Sequence, residues 1–146
     1  AHIRQGWQVW LFGSKKDHAV AEQIRGRLIP GLREEATNLC GDTSLAQAID
    51  LLSCADAVVS NDSGLMHVAS ALNRPLVAVY GSTSPGFTPP LADRVETLQL
   101  GLDCSPCFDR TCRFGHYNCL RDLMPAQVNA ALDRLVGNPL SDPQDN

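Results

Sequence analysis

The sequence is poor in aromatics, 5% of 146 residues, and has no excess of basic residues: 12 Lys and Arg stand against 16 Asp and Glu, a formal net charge of -4. Without a basic face the chain lacks the electrostatic footprint that dominates nucleic-acid affinity, so no nucleic-acid partner is expected. It also has no apolar run near the roughly 20 residues needed to span a bilayer and no charged-then-apolar leader. These absences point to a cytoplasmic protein. There is no internal repeat and no starting methionine. "AHIRQGWQVWLFGS" runs almost at once into a strand-like stretch, which reads as a chain entered in mid-protein, either an engineered fragment or a natural half.

What is present is an ordinary globular composition, 44% hydrophobic and 19% charged, in a length that suits one domain able to bury its own core. That domain is expected over 1–136, with a loose, turn-rich and acidic tail over 137–146. Apolar runs bounded by turn residues predict strands at "WQVWLF", "ATNLC", "DAVVS" and "PLVAVYG", and a further one from Val95 to Leu100. Between them, Lys16 to Leu28 sets Val20, Ile24 and Leu28 on one helical face, and Ser44 to Ser53 does the same with Leu45, Ala48, Ile49 and Leu52. Leu65 to Leu72 predicts a short apolar helix, and Pro125 to Val136 an amphipathic one begun by proline. Strands alternating with helices argue for an α/β fold, a Rossmann-like parallel sheet with helices on both faces.

In such sheets ligands bind outside the carboxyl ends of the strands, and "NDSG", Asn61 to Gly64, falls at one. The first amides of the following helix have no partners within it, so Ser63, Gly64 and Leu65 can offer N–H donors and the positive helix end to a phosphate. Asp62 does not suit a phosphate: a carboxylate about 4 Å away is repelled by roughly 1 kcal/mol in water and by more in a dry cleft. Sugar hydroxyls, which donate to a carboxylate, are its natural partners. Phosphate and hydroxyls together describe a sugar nucleotide. The plainer reading is that Asp62 or Ser63 is simply a helix N-cap, and that His67, one turn in, is a packed or partly exposed histidine.

"VVSNDSGLMHVASALNRPLVAVYGSTSPGFTPPL", with "LFGSKKDH" and "LCGDTSLAQAIDLLSCADAVVSND", resembles the carboxyl-terminal half of the heptosyltransferases that use ADP-heptose to build lipopolysaccharide. The resemblance runs from about Gly6 to Leu135. It implies one half, the donor-binding half, of a two-domain GT-B glycosyltransferase that inverts the anomeric centre and requires no metal or other cofactor. It implies a lipopolysaccharide core acceptor reached through an amino-terminal domain, and contact with the cytoplasmic face of the inner membrane that is peripheral at most. Asp62 then meets the heptose, Ser63 and Gly64 the diphosphate with His67 beside them, Asp17 the adenosine ribose, and Thr43 falls where backbone groups meet the adenine. Read as residues alone, Asp17 is equally an exposed N-cap and Thr43 equally the cap of the next helix. Of Ser82, Thr83 and Ser84 after the fourth strand, Thr83 is the choice for the same crevice. The family's general base and a lysine that neutralises the diphosphate lie upstream of the matched segment, so this chain is expected to contain no catalytic base and to be inactive alone.

Six cysteines are many for this length. Four fall in "CSPCFDRTCRFGHYNC", a loop at about 101–120: Cys104, Cys107, Cys112 and Cys119. The first two form a CxxC pair and Cys112 with His116 or Cys119 could complete a tetrahedral zinc set, but the spacing matches no standard two-CxxC pattern. Reduced thiols without metal are the expectation, and Cys40 and Cys54 are expected to be small buried apolar residues. Two alternatives of other classes stand beside the transferase: another GT-B-type sugar-nucleotide enzyme such as an epimerase, and a non-catalytic zinc-dependent binding module.

Overall fold

A computed structural model describes residues 2–137, so the expected loose tail, save Gly137, lies outside the described residues. All the expected strands and helices form, and the strands pair in parallel as an α/β fold requires. They do so in two ladders, of two and three strands, and the chain divides after Leu51 into two compact units.

The first unit pairs β1 (Val9–Leu11) with β2 (Ala36–Asn38), Val9 opposite Ala36. Between them lie α1 (His18–Gly26) and the one-turn α2 (Pro30–Arg33), the latter begun by proline and not foreseen. The helix expected from Lys16 starts two residues late because Lys15–Asp17 closes a 3-10 turn instead. Its buried face also differs from expectation. Ala21 is the buried residue and Arg25, four residues on, donates from Nε to the Ala36 carbonyl at 2.6 Å. That stripe faces β2. Val20 and Ile24, one residue or about 100° around the helix, are left 56% and 48% exposed. Cys40 is buried as expected, its Sγ against the Leu11 carbonyl.

Helix α3 (Leu45–Ser53) carries the chain across the division. Its first residues are fixed by reciprocal bonds, Gln47 N–H to Ser44 Oγ and Ser44 N–H to Gln47 Oε1, which is a capping box. Ala48 and Leu52 are buried as the period predicts, while Leu45 in the first turn is not. Cys54 is exposed, against expectation, because it falls in the turn after the helix, where Leu52 takes the buried position.

The second unit holds β3 (Val58–Asn61), α4 (Gly64–Ala71), β4 (Leu76–Val79), β5 (Val95–Leu98), the one-turn α5 (Asn118–Arg121) and α6 (Pro125–Val136). The strand order is β3-β4-β5, all parallel and in step, with Val58 beside Leu76 and Leu76 beside Val95. Central β4 explains the unbroken apolar run that encodes it. Successive side chains point to opposite faces: Leu76, Ala78 and the following Tyr80 pack with Met66 and Ala69 of α4, and Val77 with Ala131 and Leu132 of α6. Helices therefore cover both faces of this sheet, as expected. Burying a side chain such as Leu76 stabilises by about 1.5–3 kcal/mol. From Gln99 to Tyr117 there is neither helix nor strand.

Candidate functional site

At the carboxyl end of β3 the chain bends and α4 starts at Gly64. Ser63 is the N-cap: in extended backbone, its Oγ accepts from the Met66 N–H at 3.4 Å and pairs with Ser60 Oγ at 3.2 Å. Ser63, and not Asp62, is thus the cap of α4. With the cap supplied by a neutral hydroxyl, the first amides of α4 remain at the positive end of the helix. A Cβ added to Gly64 would meet nothing within 4 Å, so the space beside this backbone is open.

Asp62 is held from outside the helix it precedes. Its N–H donates to the Val79 carbonyl, and its Oδ2 accepts from Thr88 Oγ1 at 2.9 Å. Oδ1 stands 3.9 Å from His67 Nε2, with the Asp62 side chain 14% and that of His67 47% exposed. Thr88 is in turn fixed by its carbonyl, which accepts from the buried Tyr80 hydroxyl at 2.6 Å. Burial, and then the nearby charge of Asp62, push the Tyr80 phenol above its ordinary range. The carboxylate is therefore held by β4 and the loop after it, with one oxygen left toward the exposed histidine. Thr88 was not foreseen; its only signal was its place in the turn-rich "GSTSPGFTPP".

That loop also carries Thr83. Ser84 is committed locally, its Oγ accepting from the Gly86 N–H and its carbonyl from Phe87 and Thr88. The Ser82 carbonyl accepts from Cys107 and Phe108. Thr83 contributes its carbonyl to Gln99 Nε2 at 3.4 Å. The structure thus gathers Asp62, Ser63, Gly64 and His67 at one turn and links the loop bearing Thr83 to them through Thr88.

Asp17 and Thr43 belong to the first unit, on neighbouring loops at the carboxyl ends of β1 and β2. These loops touch: the Gly41 N–H donates to the Gly13 carbonyl at 3.0 Å, and a Cβ on Gly41, at φ +82, would lie 2.7 Å from the Lys15 Cα. Glycine is required there for both the turn and the approach. Asp17 is not a side-chain cap for α1. Its Oδ2 takes the Ser14 N–H at 2.8 Å and the Ser14 hydroxyl at 2.6 Å. Those bonds, the hydroxyl's first, hold its carboxyl below the usual range. Thr43 is not a cap either, since Ser44 fills that role.

A cavity of about 110 Å³ in the second unit lies within the cysteine loop, lined by Cys104, Cys107, Cys112 and Cys119. All four are free thiols. Burial and then the neighbouring thiols push Cys119 up, whereas backbone N–H donors, that of Tyr117 foremost, hold Cys112 down. Among the described residues, no three His, Cys, Asp or Glu side chains stand as a ready ligand set. No described helix is long and apolar enough to cross a membrane.

Residues 1–118 match the family model described as "Glycosyltransferase family 9 (heptosyltransferase)". Lipooligosaccharide heptosyltransferase 2 of Haemophilus influenzae is 55% identical over 98 residues, 67% of this chain and 28% of that protein. Lipopolysaccharide heptosyltransferase 2 of Escherichia coli is 42% identical over 134 residues, 92% of this chain and 38% of that protein. The solved E. coli ADP-heptose lps heptosyltransferase II superposes with a TM-score of 0.80 over 92% of this chain and 38% of that one. A family 9 glycosyltransferase of Veillonella parvula, TM-score 0.75 at 23% identity, shares the fold. The chain spans less than half the length of these relatives.

Proposed function

Because the chain belongs to glycosyltransferase family 9, the heptosyltransferases, we propose that it is the donor-binding part of a longer GT-B enzyme that takes heptose from ADP-heptose and passes it to the lipopolysaccharide inner core. The observation that carries this reading is the separation of charge at the β3 turn. Asp62 is drawn toward Thr88 while the start of α4, capped by Ser63, keeps its amides for an anion. An anion at those amides and hydroxyls at Asp62 then fall at one turn, where the Thr88 donor offsets part of the carboxylate's charge.

In this reading Asp62 accepts from heptose hydroxyls. Ser63, Gly64 and Leu65 present backbone N–H groups to the diphosphate, and His67 donates to it from the first turn of α4. As the glycosidic bond breaks, negative charge grows on the departing ADP, so donors already aimed at it lower the barrier. Thr83 supplies a hydroxyl from the neighbouring loop. In the first unit, the Asp17 oxygen not used by Ser14 accepts from ribose, and the backbone at Thr43 meets adenine. Inverting transfer also needs a base within reach of the acceptor hydroxyl. That base, like the contact with the acceptor at the cytoplasmic membrane face, belongs to the longer enzyme, so this chain alone binds donor without turning it over.

Calorimetric titration with ADP-heptose and with ADP tests the reading. Asp62→Asn should weaken ADP-heptose by roughly tenfold, one lost charged hydrogen bond of about 1.5 kcal/mol, and leave ADP nearly unchanged. Equal effects on both ligands remove Asp62 from the sugar site, and preference for UDP over ADP supports the epimerase-type alternative.

A further inference from the structure

The segment from Gln99 to Tyr117 has no buried residue and no helix or strand. It exposes Phe108, Phe114 and Tyr117. A stretch of that length inside a compact unit must offset its ordering entropy by some means other than a core. Its three cysteines, Cys104, Cys107 and Cys112, instead line one cavity of about 110 Å³ together with Cys119 of α5.

The backbone around them has two similar turns. In the first, Cys104 and Cys107 are followed by Phe108 at φ 58; in the second, Cys112 is followed three residues later by Gly115 at φ 71. In the first turn the backbone N–H groups of Cys107 and Phe108 are taken by the Ser82 carbonyl, whereas in the second those of Tyr117, Phe114, Gly115 and His116 lie around Cys112. Donors of this kind stabilise a sulfur that carries negative charge. Arg110, Arg113 and Asp109 line the same cavity, and with Arg113 paired to Asp109 at 2.8 Å it is Arg110 that adds net positive charge where four thiolates would outweigh a dication. His116 is committed elsewhere: its Nδ1 accepts from the Asn118 N–H at 3.0 Å and its ring stacks on Phe114. The donor set is therefore all sulfur.

We propose that Cys104, Cys107, Cys112 and Cys119 bind one structural zinc ion, a tetrahedral tetrathiolate site unconnected with the transfer chemistry. Soft thiolate ligands in a closed set of four suit zinc. No three of them stand at ligating positions as they are, so binding draws the sulfurs inward and releases their protons. The ion would fasten more than its own loop. The Ser105 hydroxyl donates to the Gly81 carbonyl, and the Cys107 and Phe108 N–H groups to the Ser82 carbonyl at 3.0 and 2.7 Å. The first cysteine turn is thus pinned to the end of β4, just before Thr83.

The test is elemental analysis of the chain purified under reducing conditions without chelator, read beside alkylation of each cysteine with and without a strong chelator. About one zinc per chain is expected, with the four loop cysteines protected until the chelator is added and Cys54 reactive throughout. Cys107→Ser and Cys119→Ser should each abolish stoichiometric zinc, whereas Cys54→Ser should retain it. Should those variants fail to fold, cobalt reconstitution of the parent keeps the test: tetrathiolate coordination gives intense sulfur-to-cobalt charge-transfer absorption. Absence of zinc with all loop thiols reactive before chelation overturns the proposal. So does bound iron in place of zinc, or a Cys104–Cys107 disulfide in metal-free protein.

Discussion

Two strand-to-helix turns in this chain use the same materials and hold them differently. After β1, Asp17 is fixed by Ser14, three residues earlier, through both its backbone and its hydroxyl. After β3, Asp62 is fixed by Thr88, 26 residues later, which in turn rests on the buried Tyr80. The first carboxylate shapes its own turn; the second is aimed by the sheet beneath it. Aim matters for a side chain expected to meet a ligand, since a group held from several elements loses little entropy when it binds. Asp62 is therefore better placed than Asp17 to meet a ligand, although the resemblance offers both.

The largest effect expected to break this comparison comes from the core. Leu76→Ala removes a fully buried side chain that packs with Met66 and Tyr80 and should cost about 2–5 kcal/mol of stability by urea unfolding. It should loosen the Thr88 bond to Asp62 and leave the Asp17 turn intact. Amide exchange would show this as lost protection in β4 and α4 with unchanged protection at Asp17. Equal loss at both turns would mean that the local and long-range designs do not differ. Smaller, and confined to the site, is the effect of Thr88→Val, which keeps shape but removes the donor. Affinity for ADP-heptose should fall about 3- to 10-fold, one hydrogen bond of roughly 1 kcal/mol, with ADP unaffected and Thr88→Ser restoring binding. If serine does not restore it, the threonine contributes packing and does not orient Asp62.

The same contrast explains what could be read from the sequence. The apolar run of β4 and the Pro125 start of α6 are local patterns, and each reappears in place, whereas the cap of α3 falls on Ser44, one residue after the expected Thr43. The turn at Asn61 to Gly64 was legible as a strand end with competing carboxylate and amide roles. Thr88 was not, because a bond across 26 residues leaves no period or spacing to recognise. Nor was the outward turn of Val20 and Ile24, which depends on Arg25 reaching the Ala36 carbonyl. Cys54 failed for a related reason: its type suggests burial, but its place one residue beyond α3 decides. In the cysteine loop, spacing alone gave no standard metal pattern, and only the fold puts four sulfurs around one cavity.

The smallest expected effect concerns Asp17, where the local design can be tested through its proton. In the folded chain the carboxyl is held below its ordinary pKa, first by the Ser14 hydroxyl and then by the Ser14 N–H. The folded state thus binds this proton less readily than the unfolded one. The turn's contribution is present above the unfolded carboxylate value of about 3.9 and is lost as pH falls through the lower folded value. Ser14→Ala removes the larger cause and keeps the N–H, so the Asp17 pKa should rise toward its ordinary value without reaching it. Carbon-detected NMR titration of the Asp17 side-chain carboxyl would record this. An unmoved Asp17 would show that the hydroxyl contact does not set its charge, and the two turns would then differ less than their hydrogen bonds indicate.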